Sequence, residues 1–152
     1  MAVQFLLGSV VTAIAIMIQA LVTVWAVGIA RWAGLRHTVW PRFHLMAVMV
    51  SVAASLIVAH TLEVLVWALA YTIVGAAPPG SDLLDFAFVN FTTLGYGDVT
   101  PVPAWRLIGP ITAMNGILMF GWSAAVLFEV LRKTLDHLEA IGARGFSPAD
   151  RD

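Results

Sequence analysis

The stretch Thr92-Thr93-Leu94-Gly95-Tyr96-Gly97-Asp98 alternates glycine with larger residues in its second half. A cation stripped of water needs several oxygens at contact distance. Consecutive main-chain carbonyls face one line only if the chain alternates its handedness, which calls for positive φ at alternate residues. Gly95 and Gly97 adopt that conformation without steric cost. The carbonyls of Thr93, Leu94, Gly95 and Tyr96 would then supply the oxygens, with the Thr93 hydroxyl adding one at the inner end. One chain holds one such segment, so a closed ring of oxygens needs more copies. Asp98 places negative charge next to the outer mouth, where it raises the local cation concentration.

A second constellation is His60 with Glu63. Between Arg42 and Asp82, Glu63 is the one residue of fixed charge. The two residues are three apart and share a helical face. Ionisable groups inside a membrane span are costly and count as functional candidates. Three readings stand side by side: a proton-sensing switch, because imidazole ordinarily titrates near neutral pH; two ligands of a metal site, short of a usual zinc set; or a hydrogen-bonded structural pair meeting Gln19 or the back of the 92–98 stretch.

The elements that position these groups follow from composition. The chain has 152 residues, 61 % hydrophobic and 11 % charged. A soluble domain carries about 25 % charge, so a water-soluble enzyme domain and disorder are both excluded. There is room for one domain. A net charge of −1 gives no basic field for nucleic acid, and the absence of cysteine removes disulfide and thiolate chemistry. Three apolar tracts, residues 3–30, 45–74 and 107–131, each exceed the ~20 residues that cross a ~30 Å hydrocarbon layer. Each is expected to be a helix, since a lone strand cannot satisfy its backbone in lipid. The first tract lacks a basic flank and is longer than the apolar run of a cleaved leader, so it is expected to span.

Arg31, Arg36 and Arg42 lie between the first two tracts without an acid; Asp82, Asp85 and Asp98 lie between the second and third. The Lys/Arg bias puts residues 31–44 in the cytoplasm, the N-terminus and the acidic segment outside, and the C-terminus inside. Trp32, Trp40 and Trp105 occupy interfacial positions. The outer segment is too apolar to be a loop in water. Pro78-Pro79-Gly80 forms a turn, Ser81 can cap a helix, and Asp82 and Asp85 suit its first turn. A short helix over 82–92 is expected to dip back into the membrane ahead of the non-helical stretch. Its C-terminal end, aimed inward, favours a cation in the cavity below.

Thr93-Leu94-Gly95-Tyr96-Gly97 resembles the potassium-channel selectivity filter, T-V-G-Y-G, with Leu94 in place of Val. The surrounding layout of outer helix, re-entrant helix, filter and inner helix over about 45–133 resembles that family as well. The resemblance implies potassium ions held at Thr93, Leu94, Gly95 and Tyr96, and fourfold assembly. It also implies filter support from Thr92, Val89 and Asn90. Two departures stand out. Val89 occupies the position of an acid that often braces the filter in the family, and Asp85 and Phe86 stand where paired tryptophans are common.

Gly116 stands where the family's inner helix has a hinge, and equally suits close packing. Ile117, Phe120, Ala124 and Phe128 recur on one face of that helix. That face either lines a cavity, where Phe120 or Phe128 would form an apolar constriction, or packs against neighbouring helices. Pro110 is expected to bend the helix near its outer end. His37 and His44 suit a solvated or headgroup-facing loop. Glu129 with Arg132 and Lys133 forms an ordinary helical charge set. No helix carries regularly spaced arginines, so no voltage sensor is expected, and the cytoplasmic residues are too few for a ligand-binding domain.

The expected protein is an all-α membrane protein of the cell (inner) membrane, with three transmembrane helices plus a re-entrant pore helix. Its expected parts are an N-terminal helix at 1–30, a cytoplasmic loop at 31–44, a pore domain at 45–135 and a tail at 136–152. The pore domain divides into an outer helix at 45–74, pore helix at 82–92, filter at 93–97 and inner helix at 107–135. The expected activity is passive potassium flux through a homotetramer, with lipid and three further copies as partners and no cofactor besides the permeant ion. Alternatives are a weakly selective cation channel, a subunit that conducts only with partners and, from another class, a membrane enzyme using His60 and Glu63. No further His, Asp or Glu within the spans completes a catalytic set for the last.

Overall fold

The computed structural model describes residues 1–34 and 41–144. Four α-helices follow in order: α1 (Ala2–Gly34), α2 (Pro41–Val74), α3 (Leu83–Phe91) and α4 (Ile108–Arg144), with a 3-10 turn at Pro103–Trp105. No strand occurs among the described residues. Among the described residues, three segments are long and apolar enough to cross a membrane: Ala2–Ala30, Phe43–Val74 and Pro103–Leu138. The chain is an all-α membrane protein.

α1 packs on both α2 and α4, while the short α3 packs against α2 and α4. One core cluster joins α2, α3 and α4 through Trp67, Tyr71, Phe86, Phe91, Ile108 and Met119. A second, through Ala26, Val48, Val52, Leu56, Val126 and Val130, joins the far ends of α1, α2 and α4. Glutamine also ties α1 to the rest. Gln4 Nε2 donates to the carbonyl of Ala104 (2.6 Å), and the Leu107 N–H donates to Gln4 Oε1 (2.9 Å). Those two bonds fix the chain just ahead of α4, where no intrahelical partner exists.

The ends of the helices follow from particular residues. α2 stops at Gly75, whose φ of 60° permits a Schellman closure, with Ala76 N–H on the Tyr71 carbonyl (3.0 Å) and Gly75 N–H on Thr72 (3.4 Å). Pro78, Pro79 and Gly80 form the expected turn, with Gly80 at φ 85° and Ser81 N–H bonded to the Pro78 carbonyl.

Several sequence expectations are corrected. The N-cap of α3 is Asp82 rather than Ser81: the Asp82 carboxylate accepts from Leu84 N–H (3.0 Å) and Asp85 N–H (3.1 Å). A carboxylate at this place both caps the free N–H groups and meets the positive end of the helix dipole. α2 begins at Pro41, a residue suited to the first helical position. His44 therefore lies within that helix, whereas Arg36, His37 and Trp40 lie outside the described residues. α4 runs to Arg144, beyond the expected end at 135. No Gly or Pro interrupts residues 122–141, and Glu129 bonds Arg132 (2.8 Å) and Lys133 (3.0 Å) one turn on. Pro110 falls in the first turn of α4, where its missing N–H had no helical acceptor to lose.

Candidate functional site

The α3 C-terminus sets the start of the 92–98 stretch. Thr92 donates twice to the Phe88 carbonyl, through N–H (2.9 Å) and Oγ1 (2.7 Å). Thr93 N–H reaches the Asn90 carbonyl (3.1 Å), and Leu94 N–H reaches Val89 (3.0 Å). Val89 and Asn90 thus hold the stretch by their main chain. The Asn90 side chain turns back to the Phe86 carbonyl (2.9 Å). The bonds to Phe88, Val89 and Asn90 satisfy carbonyls that the end of a helix otherwise leaves free.

Beyond Leu94 the chain leaves these partners. Thr93, Gly95 and Gly97 have φ of 61°, 64° and 82°. Left-handed residues thus alternate with the intervening Leu94 and Tyr96. Gly95 and Gly97 were legible in the sequence; Thr93 was not, because a β-branched residue is a genuine outlier at positive φ. Among the described residues, the carbonyls of Thr93, Leu94, Gly95 and Tyr96 accept no main-chain hydrogen bond. Residues 92–98 are all exposed on the single chain, with Tyr96 at 71 %. Asp98 is exposed, and its carboxylate accepts from the Val99 N–H (3.1 Å). The stretch is anchored on its far side by Val102 N–H on the Ala76 carbonyl (2.9 Å).

Behind α3 lies a buried polar set that sequence reasoning missed. Trp67 Nε1 donates to Asn115 Oδ1 (2.9 Å), and the Tyr71 hydroxyl bonds Thr112 Oγ1 (2.6 Å). All four side chains are buried. Thr112 and Asn115 are polar residues three apart in an apolar span, which is the signal that could have found them. Gly116 is buried against the main chain of Phe91; a Cβ there would overlap the Phe91 carbonyl. This contact is the close-packing role. Ile117, Phe120, Ala124 and Phe128 share one exposed face of α4.

His60 and Glu63 are brought together, with His60 Nδ1 3.0 Å from Glu63 Oε2. His60 Nε2 lies 2.9 Å from Ser123 Oγ on α4, and Gln19 Nε2 on α1 donates to that same oxygen (2.8 Å). A chain of four polar side chains therefore links three helices inside the apolar layer. No group of three or more His, Cys, Asp or Glu gathers among the described residues, so the metal reading is left with two ligands.

No curated protein and no solved structure matches the chain. Residues 45–133 match the family model described as "Ion channel". That range runs from the start of α2 through α3 and the 92–98 stretch to the charge set on α4, and covers more than half of the sequence. The chain belongs to the ion channel family.

Proposed function

We propose that four copies of this chain form a potassium-selective pore for passive flux, with residues 93–97 as the filter and Asp98 at its outer mouth. The observation that carries this reading is the alternation of positive φ at Thr93, Gly95 and Gly97 beside carbonyls that accept no main-chain hydrogen bond among the described residues. Non-helical backbone at membrane depth is tolerated only when buried in protein or lining a watery cavity. Cations that trade hydration for these oxygens would occupy them, and copies packed side by side would cover the exposed Leu94 and Tyr96. The exposed α4 face of Ile117, Phe120, Ala124 and Phe128 supports a cavity below the filter. Three neighbouring copies and lipid are the proposed partners, in the cell membrane, with the N-terminus outside and the C-terminus in the cytoplasm. Ion passage requires no covalent chemistry and no cofactor.

The test is the reversal potential of the purified protein reconstituted in bilayers between potassium and sodium solutions. A reversal potential displaced towards the potassium equilibrium value, lost with Gly95→Asp, supports the proposal. A value near zero supports a weakly selective cation channel instead. Mass measurement of the intact assembly checks for four copies, and any other number overturns the tetramer.

A further inference from the structure

His60 sits at a junction of four contacts. It bonds Glu63 on its own helix and Ser123 on α4. Its ring centroid lies 4.8 Å from that of Phe120 on α4, edge to face, and 6.1 Å from that of Phe91, the last residue of α3. Phe91 and Phe120 are themselves 5.6 Å apart. One imidazole therefore touches both the residue that leads into the 92–98 stretch and a residue on the exposed α4 face.

The hydrogen bonds around this ring have a defined direction. Gln19 Nε2 can only donate, so Ser123 Oγ accepts from it. The Ser123 hydroxyl hydrogen is then free to point at His60 Nε2, which leaves the neutral ring carrying its hydrogen on Nδ1, towards the Glu63 carboxylate. A second proton on the ring goes to Nε2. The Ser123 oxygen can accept it on its remaining lone pair, and the serine hydrogen turns away from the ring. The site thus accommodates one more proton by rotating one hydroxyl. Glu63 is fully buried and its Oε1 has no partner among the described residues, so a positive charge on the ring would lie beside an otherwise poorly compensated carboxyl group. The His60 side chain is 16 % exposed on the single chain.

No other titratable group bonds this pair among the described residues. α1 presents Gln19, α3 presents Phe91, and α4 presents Ser123 and Phe120. The nearest charges along α4, those of Glu129, Arg132 and Lys133, are engaged with one another.

We propose that His60 is a proton-binding site whose occupancy holds Phe120 back against α2 and α3, so that acid favours conduction. Where the imidazole edge meets the Phe120 face, its protonation adds a cation–π attraction that the neutral ring lacks. Protonation therefore strengthens the hold on Phe120 and withdraws it from the exposed face of α4. The conduction part of this proposal rests on the channel reading; the proton site does not.

The experiment has two arms on the full-length protein in liposomes. In the first, nitrogen-15 resonances of labelled histidine are followed between about pH 5 and about pH 8, where imidazoles ordinarily change charge. The His60 signal, identified by its loss in His60→Gln, should move across that interval. A signal fixed throughout overturns the proton site, whether or not the protein conducts. In the second arm, potassium flux should be several-fold greater at the acid end. That step should flatten in Phe120→Leu, while the His60 resonance still moves. Flux that ignores pH in a titrating protein, or that rises towards alkaline pH, overturns the coupling. Absence of all flux, with the His60 signal moving, sinks the channel reading and leaves the proton site standing.

Discussion

Gly116 on α4 lies directly beneath the carbonyl of Phe91, the last residue of α3, so the end of the short helix rests on the backbone of the long one. The contact is backbone on backbone, and neither side can yield by changing a rotamer. Gly116→Ala forces the two helices apart at the point from which residues 92–98 depart. Overpacking of this kind costs about 1–3 kcal/mol. Gly121 has open space around its own missing Cβ, so Gly121→Ala serves as the control and should raise stability by up to about 1 kcal/mol, the ordinary helical gain of Ala over Gly. Thermal denaturation in detergent measures both, and equal midpoints would refute the close approach.

Thr93 carries a different kind of strain. Its φ of 61° is sterically costly for a residue with a Cβ, by about 1–2 kcal/mol, and strain of this sort persists where function demands it. Thr93→Gly should raise the stability of the potassium-free protein by about 1 kcal/mol, because glycine relieves the clash. The same substitution removes the hydroxyl, so any thermal stabilisation by added potassium, which the proposed filter calls for, should fall. Thr93→Ser keeps the hydroxyl and should keep most of that potassium effect. Melting curves with and without potassium for the three proteins separate strain from ligation.

Asp82 caps α3 through two main-chain N–H groups. Asp82→Ala should cost about 1 kcal/mol, and Asp82→Asn less, since an amide oxygen still accepts both bonds. Ser81→Ala should be silent. Amide exchange at Leu84 and Asp85 reports the cap locally: both should exchange faster in Asp82→Ala and remain near wild type in Ser81→Ala.

The contrast between Ser81 and Asp82 shows how far the sequence could be read. The three spans were legible because apolar runs of that length have one stable arrangement in lipid, and the positive φ at Gly95 and Gly97 because glycine alternation has few other uses. Choosing between adjacent capping residues was a one-residue decision that composition does not make. α4 continues past the expected end at 135 because no Gly or Pro interrupts residues 122–141, and Glu129 bonds Arg132 and Lys133 one turn on. Glu63 was visible as an isolated charge, but its link through His60 to Ser123 and Gln19 depends on how three helices cross. Thr93 escaped because its conformation opposes its own intrinsic preference.

Trp67 and Asn115 are bonded across 48 residues of sequence, from α2 to α4, and Asn115 Nδ2 has no partner. Interhelical hydrogen bonds in membranes contribute only about 0.6 kcal/mol on average. An orphaned buried polar group costs more, about 1–3 kcal/mol. Trp67→Phe strands the Asn115 oxygen as well as its nitrogen, so its cost should exceed the worth of the bond it breaks. Replacing Asn115 with Leu in the Trp67→Phe background removes both stranded atoms. The double variant should therefore be more stable than Trp67→Phe alone, a non-additivity of about 1 kcal/mol or more in a double-mutant cycle. Additive losses would mean that Trp67 and Asn115 are not coupled and would overturn the bond between them.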